Sequence, residues 1–166
     1  RQQALLKEVT AEVVPGSGLL IAGSSGVGKS SLLRALAGLW NAGGGLIVRP
    51  QLHDMFFLPQ RPYMILGSLR EQLLYPNLQI ETTDDELQAV LEMVNLPHLA
   101  VRVGGLDSIL EWGSLLSLGE QQRLAFARLL LAKPRYVVLD EATSALRVRE
   151  AKGIQAKISG GGAVVL

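Results

Sequence analysis

Gly23-Ser24-Ser25-Gly26-Val27-Gly28-Lys29-Ser30 decides the fold. The stretch fits G-x-x-x-x-G-K-[ST] at every fixed position. The apolar run Gly18-Leu19-Leu20-Ile21-Ala22 precedes it and reads as a buried strand feeding a turn. Leu32, Leu33, Leu36 and Leu39 follow at helical spacing, which predicts a helix from about Lys29 to Leu39. Glycines let backbone amides close around a phosphate chain without Cβ clashes, and the helix start adds the positive end of a dipole. Lys29 supplies a point charge for the terminal phosphates and Ser30 a hydroxyl for Mg²⁺. An ordinary glycine-rich turn before a helix would not require both Lys29 and Ser30.

Working outward, Tyr136-Val137-Val138-Leu139-Asp140 is a second buried apolar strand, ending in a carboxylate and followed by Glu141. In a phosphate-loop enzyme Asp140 would serve Mg²⁺, and Glu141 would polarise a water for attack on the γ-phosphate. The plainer alternative is two carboxylates capping a following helix. Leu116-Ser117-Leu118-Gly119-Glu120-Gln121-Gln122-Arg123 places a serine and a glycine amide at a helix start, which makes an anion site without a lysine. A simple capped amphipathic helix is the competing reading.

Ser68–Glu71, Thr83–Glu86 and Ser117–Glu120 all match the capping box, in which two side chains satisfy orphan amides at a helix start. The second opens a helix with Leu87, Val90, Leu91 and Val94 on one face, ended by Pro97; the third opens one running to about Ala132. Leu46–Arg49 and Met55–Leu58 read as strands, and a last helix is expected from about Arg147 to Ser159. Ala163-Val164-Val165-Leu166 reads as the middle of a buried strand, so the chain is expected to be a fragment cut at both ends. The order gives an α/β core, 1–67 and 133–166, with a helical insertion at 68–132.

The 166 residues suit one domain, and 48% hydrophobic with 19% charged residues can bury a real core. A formal net charge of +1 argues against a dedicated nucleic-acid binder. Zero cysteines exclude disulfides, zinc–thiolate sites and thiol nucleophiles, and suit a reducing compartment. No apolar run reaches the ~20 residues that cross a bilayer. His53 and His98 have no second ligand at metal spacing, and Trp40 reads as a packing anchor.

The phosphate loop at 23–30, Leu116-Ser117-x-Gly119 and Asp140-Glu141 together resemble the ATP-binding domain of ATP-binding cassette (ABC) proteins, over nearly the whole chain. Gln60 matches the family's Q-loop glutamine. Gly38-Leu39-Trp40, Leu58-Pro59-Gln60-Arg61-Pro62-Tyr63-Met64 and the stretch Gly67–Pro76 look like subfamily D, the peroxisomal fatty-acyl-CoA transporters with their bacterial and plastid relatives.

The resemblance implies an α/β fold of the P-loop NTPase type, with a mainly parallel sheet and an inserted helical subdomain carrying the signature. It implies ATP and Mg²⁺ as cofactors. Gly23, Ser24, Ser25, Gly26, Val27, Gly28, Lys29, Ser30 and Ser31 would bind nucleotide, and Ser117, Leu118, Gly119 and Glu120 the partner's nucleotide. Ser30, Gln60 and Asp140 would hold the metal, and Glu141, Lys29 and Gln60 would carry catalysis.

The implied partners are a second ATPase domain, head to tail, and a fused or associated transmembrane domain, with no nucleic acid. The implied place is a peroxisomal, plastid or bacterial inner membrane, with the ATPase domain on the cytosolic or stromal side. The pattern departs at Leu118, at Glu120 and at Arg147, which follows Ser144-Ala145-Leu146 where the family has aspartate. The family's switch histidine would fall beyond Leu166 and its adenine-stacking aromatic before Arg1. A soluble ABC ATPase acting on nucleic acid or ribosomes, and an ATP-binding regulatory module without turnover, are the other function classes.

Overall fold

A computed structural model describes residues 8–24, 26–40 and 43–140, together with the backbone of 162–165. Ser25, Glu141, Ser144–Arg147 and the helix expected at about Arg147–Ser159 lie outside the described residues. The chain divides into two compact units, one of Arg1–Phe57, Pro134–Glu141 and Arg149–Leu166, the other of Leu58–Lys133 and Ala142–Val148.

The first unit is built on a sheet ordered β1-β4-β3-β2, with β1 at Gly18–Leu20, β2 at Met55–Leu58, β3 at Tyr136–Leu139 and β4 at Gly162–Val165. β4 pairs in parallel with β1 (Leu19 opposite Val164) and with β3 (Val138 opposite Val164). Val137, Val138 and Leu139 are all buried, the continuous apolar run expected of a strand flanked on both sides in a parallel sheet.

β1 is different. Among the described strands it lies at the edge, and Leu20 is 70% exposed, so the expectation of a buried strand there does not hold. Leu46–Arg49 forms no strand either. Leu46 and Val48 are each 86% exposed, and no described strand pairs with them.

Helix α1 spans Lys29–Leu36, shorter than the stripe suggested. Gly38 adopts φ +75°, its N–H donates to Ala35 O, and Leu39 N–H donates to Arg34 O at 2.8 Å. That pair of bonds is a Schellman stop, which the glycine makes possible and which leaves Leu39 exposed.

The second unit is helical: α2 (Leu69–Leu74), α3 (Asp84–Met93), α4 (Leu99–Val103), α5 (Trp112–Leu115) and α6 (Leu118–Ala132). All three expected capping boxes form, with Ser68, Thr83 and Ser117 each accepting from the backbone N–H three residues on. α6 packs against α2 and α3. Leu69, Leu73, Leu87, Leu91 and Leu124 are completely buried, each a gain of about 1.5–3 kcal/mol over exposure. Trp112 closes this core, its indole N–H donating to Gly67 O at 2.7 Å. α6 is buried over most of its circumference from Gln121 to Leu129, so it is a central helix rather than an amphipathic surface one.

Candidate nucleotide-binding site

The phosphate loop runs from β1 to α1. Gly26 and Gly28 take φ values of +85° and +100°, the left-handed region open to glycine without Cβ strain. Gly28 is also the N-cap of α1, with no side chain closing the cap, so the first-turn amides of Lys29, Ser30 and Ser31 begin a helix whose positive end is uncovered. Lys29 folds back under its own loop: Nζ donates to Gly23 O at 2.8 Å and to Ser24 O at 3.1 Å. The ammonium therefore sits against the carbonyls that open the loop. A Cβ on Gly23 would stand 3.0 Å from Val27 Cγ2, so a side chain there would need Val27 to give way.

Ser30 and Asp140 are brought together although 110 positions apart, with Ser30 Oγ donating to Asp140 Oδ1 at 3.4 Å. Asp140 follows directly on β3, whose buried position fixes where the carboxylate emerges. A hydroxyl beside a carboxylate is the hard-oxygen donor set that Mg²⁺ takes, completed as a rule by phosphate oxygens and water. Among the described residues no group of three His, Cys, Asp or Glu side chains could hold a metal, so His53 and His98 assemble no such site there.

The second cluster lies in the helical unit. Ser117 is the N-cap of α6, and its Oγ donates to Glu120 Oε2 at 2.9 Å while accepting from Glu120 N at 3.3 Å. Glu120 Oε1 accepts from Arg102 Nη1 at 2.6 Å. Burial pushes the Glu120 carboxyl up, but the bonds from Arg102 and Ser117 outweigh it and hold the group below the usual range. The charge that departs from the family pattern at Glu120 is thus met by an arginine. Leu118 is half exposed, and Gly119 has room for a Cβ at ordinary contact with Arg123.

Gln60 is exposed in the loop after β2, and its backbone carbonyl accepts from Gln122 Nε2 at 2.9 Å. In the sequence nothing assigns a role to Arg102, Arg128 or Gln72, and Gln122 stands only within the stretch Leu116–Arg123. For Gln122 and Arg128 the available signal was two glutamines and two arginines set among the apolar residues of α6.

The model of the family described as ABC transporter matches residues 6–144. The chain belongs to the ABC transporter family. It is an ABC-type ATPase domain, similar to the D-subfamily members indicated by its sequence features. An ABC transporter ATP-binding protein of Synechocystis is 62% identical over 144 residues, covering 87% of this chain and 22% of that protein. The chloroplastic ABC transporter D family member 2 of Arabidopsis thaliana is 46% identical, covering 86% and 26%. Among solved structures, a bacterial Atm1-family ABC exporter with ATP bound matches 98% of this chain and 31% of its own, at 26% identity and a TM-score of 0.78. The chain spans about a quarter of the length of the curated relatives it matches.

Proposed function

We propose that this ABC domain is the motor of a membrane transporter, binding Mg-ATP, pairing with a second such domain and coupling hydrolysis to movement of a cargo. The observation that carries the reading is the meeting of Ser30 Oγ and Asp140 Oδ1 beside the loop curled on Lys29. Gly23, Ser24, Ser25, Gly26, Val27, Gly28 and Ser31 supply amides and hydroxyls to the phosphates, and Lys29 neutralises the β- and γ-phosphate charge. Ser30 and Asp140, with Gln60, hold Mg²⁺, which when bound neutralises charge developing on the phosphate oxygens. Glu141 is assigned the general base, accepting the proton of the attacking water, a role typically worth about 10²–10⁴ in rate. Ser117, Leu118, Gly119 and Glu120 face the γ-phosphate held by the partner domain, in a head-to-tail pair.

A transmembrane partner is supported by a surface on the helical unit. Ile109 pairs with Ser68, Trp112 holds Gly67, and these adjoining segments carry Tyr63, Leu66 and Ile109 at 66%, 83% and 73% exposure. Exposed apolar residues on adjoining segments suit a contact surface. For the cargo we propose a fatty-acyl or other lipid-like compound, on the subfamily-D likeness, and for the membrane a peroxisomal, plastid or bacterial inner one with this domain on the cytosolic or stromal side. No observation favours a nucleic-acid or ribosome ATPase, or a regulatory module without turnover.

The test is fractionation of source cells with an antibody to this chain. The native polypeptide is expected in membranes and to resist carbonate extraction. Recovery as free soluble protein would contradict the transporter reading.

A further inference from the structure

Gln72, Gln122 and Arg128 are 0%, 5% and 4% exposed. Each would destabilise the core if left unbonded, and their bonds converge on one short segment. Gln122 Nε2 donates to Gln60 O at 2.9 Å, and Arg128 Nη1 donates to Tyr63 O at 2.7 Å. Gln72 Nε2 donates to Ile65 O at 2.6 Å, while Gln72 Oε1 accepts from Ile65 N at 3.2 Å.

Arg128 then ties the set together. Its Nε donates to Gln72 O at 2.6 Å, its Nη2 donates to Gln72 Oε1 at 2.9 Å, and the guanidinium lies 5.3 Å from the Tyr75 ring centroid. Among the described residues its partners are neutral oxygens and a ring, not a carboxylate, and burial pushes the group down to about 10. A buried cation without a counter-charge is an expensive way to fill a core, since apolar residues of similar volume are often as stable or more so. What these three side chains supply that apolar ones would not is a fixed backbone path at 60, 63 and 65.

We infer that Gln122, Arg128 and Gln72 are positioning residues for Gln60, Gln122 and Arg128 lashing the loop 60–65 to α6 directly and Gln72 of α2 through its bonds to Arg128, so that Gln60 and Ser117 are carried by one helix. The inference rests on the reading of Gln60 as a site residue. Gln60 lies at one end of the lashed segment and Ser117 at the start of the helix that lashes it. Loosening the loop should therefore cost turnover through Gln60 and leave the phosphate loop, in the other unit, untouched.

The test uses the full-length protein carrying Gln122→Met, which keeps the volume and removes the amide donor, with Gln122→Glu as a second variant of the same shape. Without nucleotide, amide exchange over 61–67 should rise at least ~10-fold while exchange over 26–36 stays parental. ATP turnover should fall roughly tenfold, about 1.4 kcal/mol, with KM for ATP within about twofold. In a Gln60→Ala background the same substitution should cost less than about twofold more, because both act through one group. Unchanged exchange over 61–67 would overturn the clamp, and a full tenfold loss on top of Gln60→Ala would overturn its action through Gln60. A parental protein without ATP turnover would instead defeat the ATPase reading, and the exchange measurement would still decide the clamp.

Discussion

Lys29 spends two of its three donors on Gly23 and Ser24 carbonyls, so the cation holds the loop in shape before any phosphate arrives. Lys29→Ala removes both the charge and that brace. ATP affinity should fall by at least ~100-fold, on the order of 3 kcal/mol, in a nucleotide titration; parental affinity would remove the phosphate-loop claim. At Gly28 the demand is steric. A φ of +100° suits glycine, and Gly28→Ala should cost about 1–2 kcal/mol of stability in a denaturant melt. Both residues were legible in the sequence because a phosphate loop is a local motif. The Ser30–Asp140 meeting was legible only through chemistry, and the Arg128–Gln72 bonds not at all. Those partners stand 56 positions apart, and no spacing rule links them without the packed α2–α6 pair.

At the level of elements, the helix starts read well and the strands read poorly. A capping box is complete within four residues, and the boxes at Ser68, Thr83 and Ser117 form as expected. Burial of a strand depends on its neighbours. Among the described strands the apolar run at Gly18–Leu20 lies at the edge, and Leu46–Arg49 found no described partner. Ser117→Ala should therefore lower stability by about 1 kcal/mol through the lost cap.

The boxes also carry a pH signature. Thr83 and Thr82 bonds hold Glu86 below its ordinary value of 4.5, and Glu120 is held below it too, by Arg102 and Ser117 against burial. Both groups have lower pKa values folded than unfolded, so the unfolded chain takes up more protons as acid is added. Their contribution is present above about pH 4.5 and lost below it. The melting temperature should fall as pH drops through that region, and Glu86→Gln with Glu120→Gln should flatten the fall. An equally steep fall in that double variant would count against the boxes as its source.

For the molecule as a whole, the likeness to ABC proteins rested on three separated motifs and Gln60, and the family match over residues 6–144 agrees with it. Cargo, membrane and partner were never legible in the same way, because none of these motifs encodes them. The central claim is that Mg-ATP is hydrolysed between paired domains, with Glu141 as base. The most direct measurement is steady-state ATP hydrolysis by the full-length protein beside Glu141→Gln, with nucleotide binding read in parallel. The account predicts undiminished ATP binding, turnover reduced about 10²–10⁴-fold and accumulation of an ATP-bound pair. Hydrolysis by Glu141→Gln at the parental rate would contradict it.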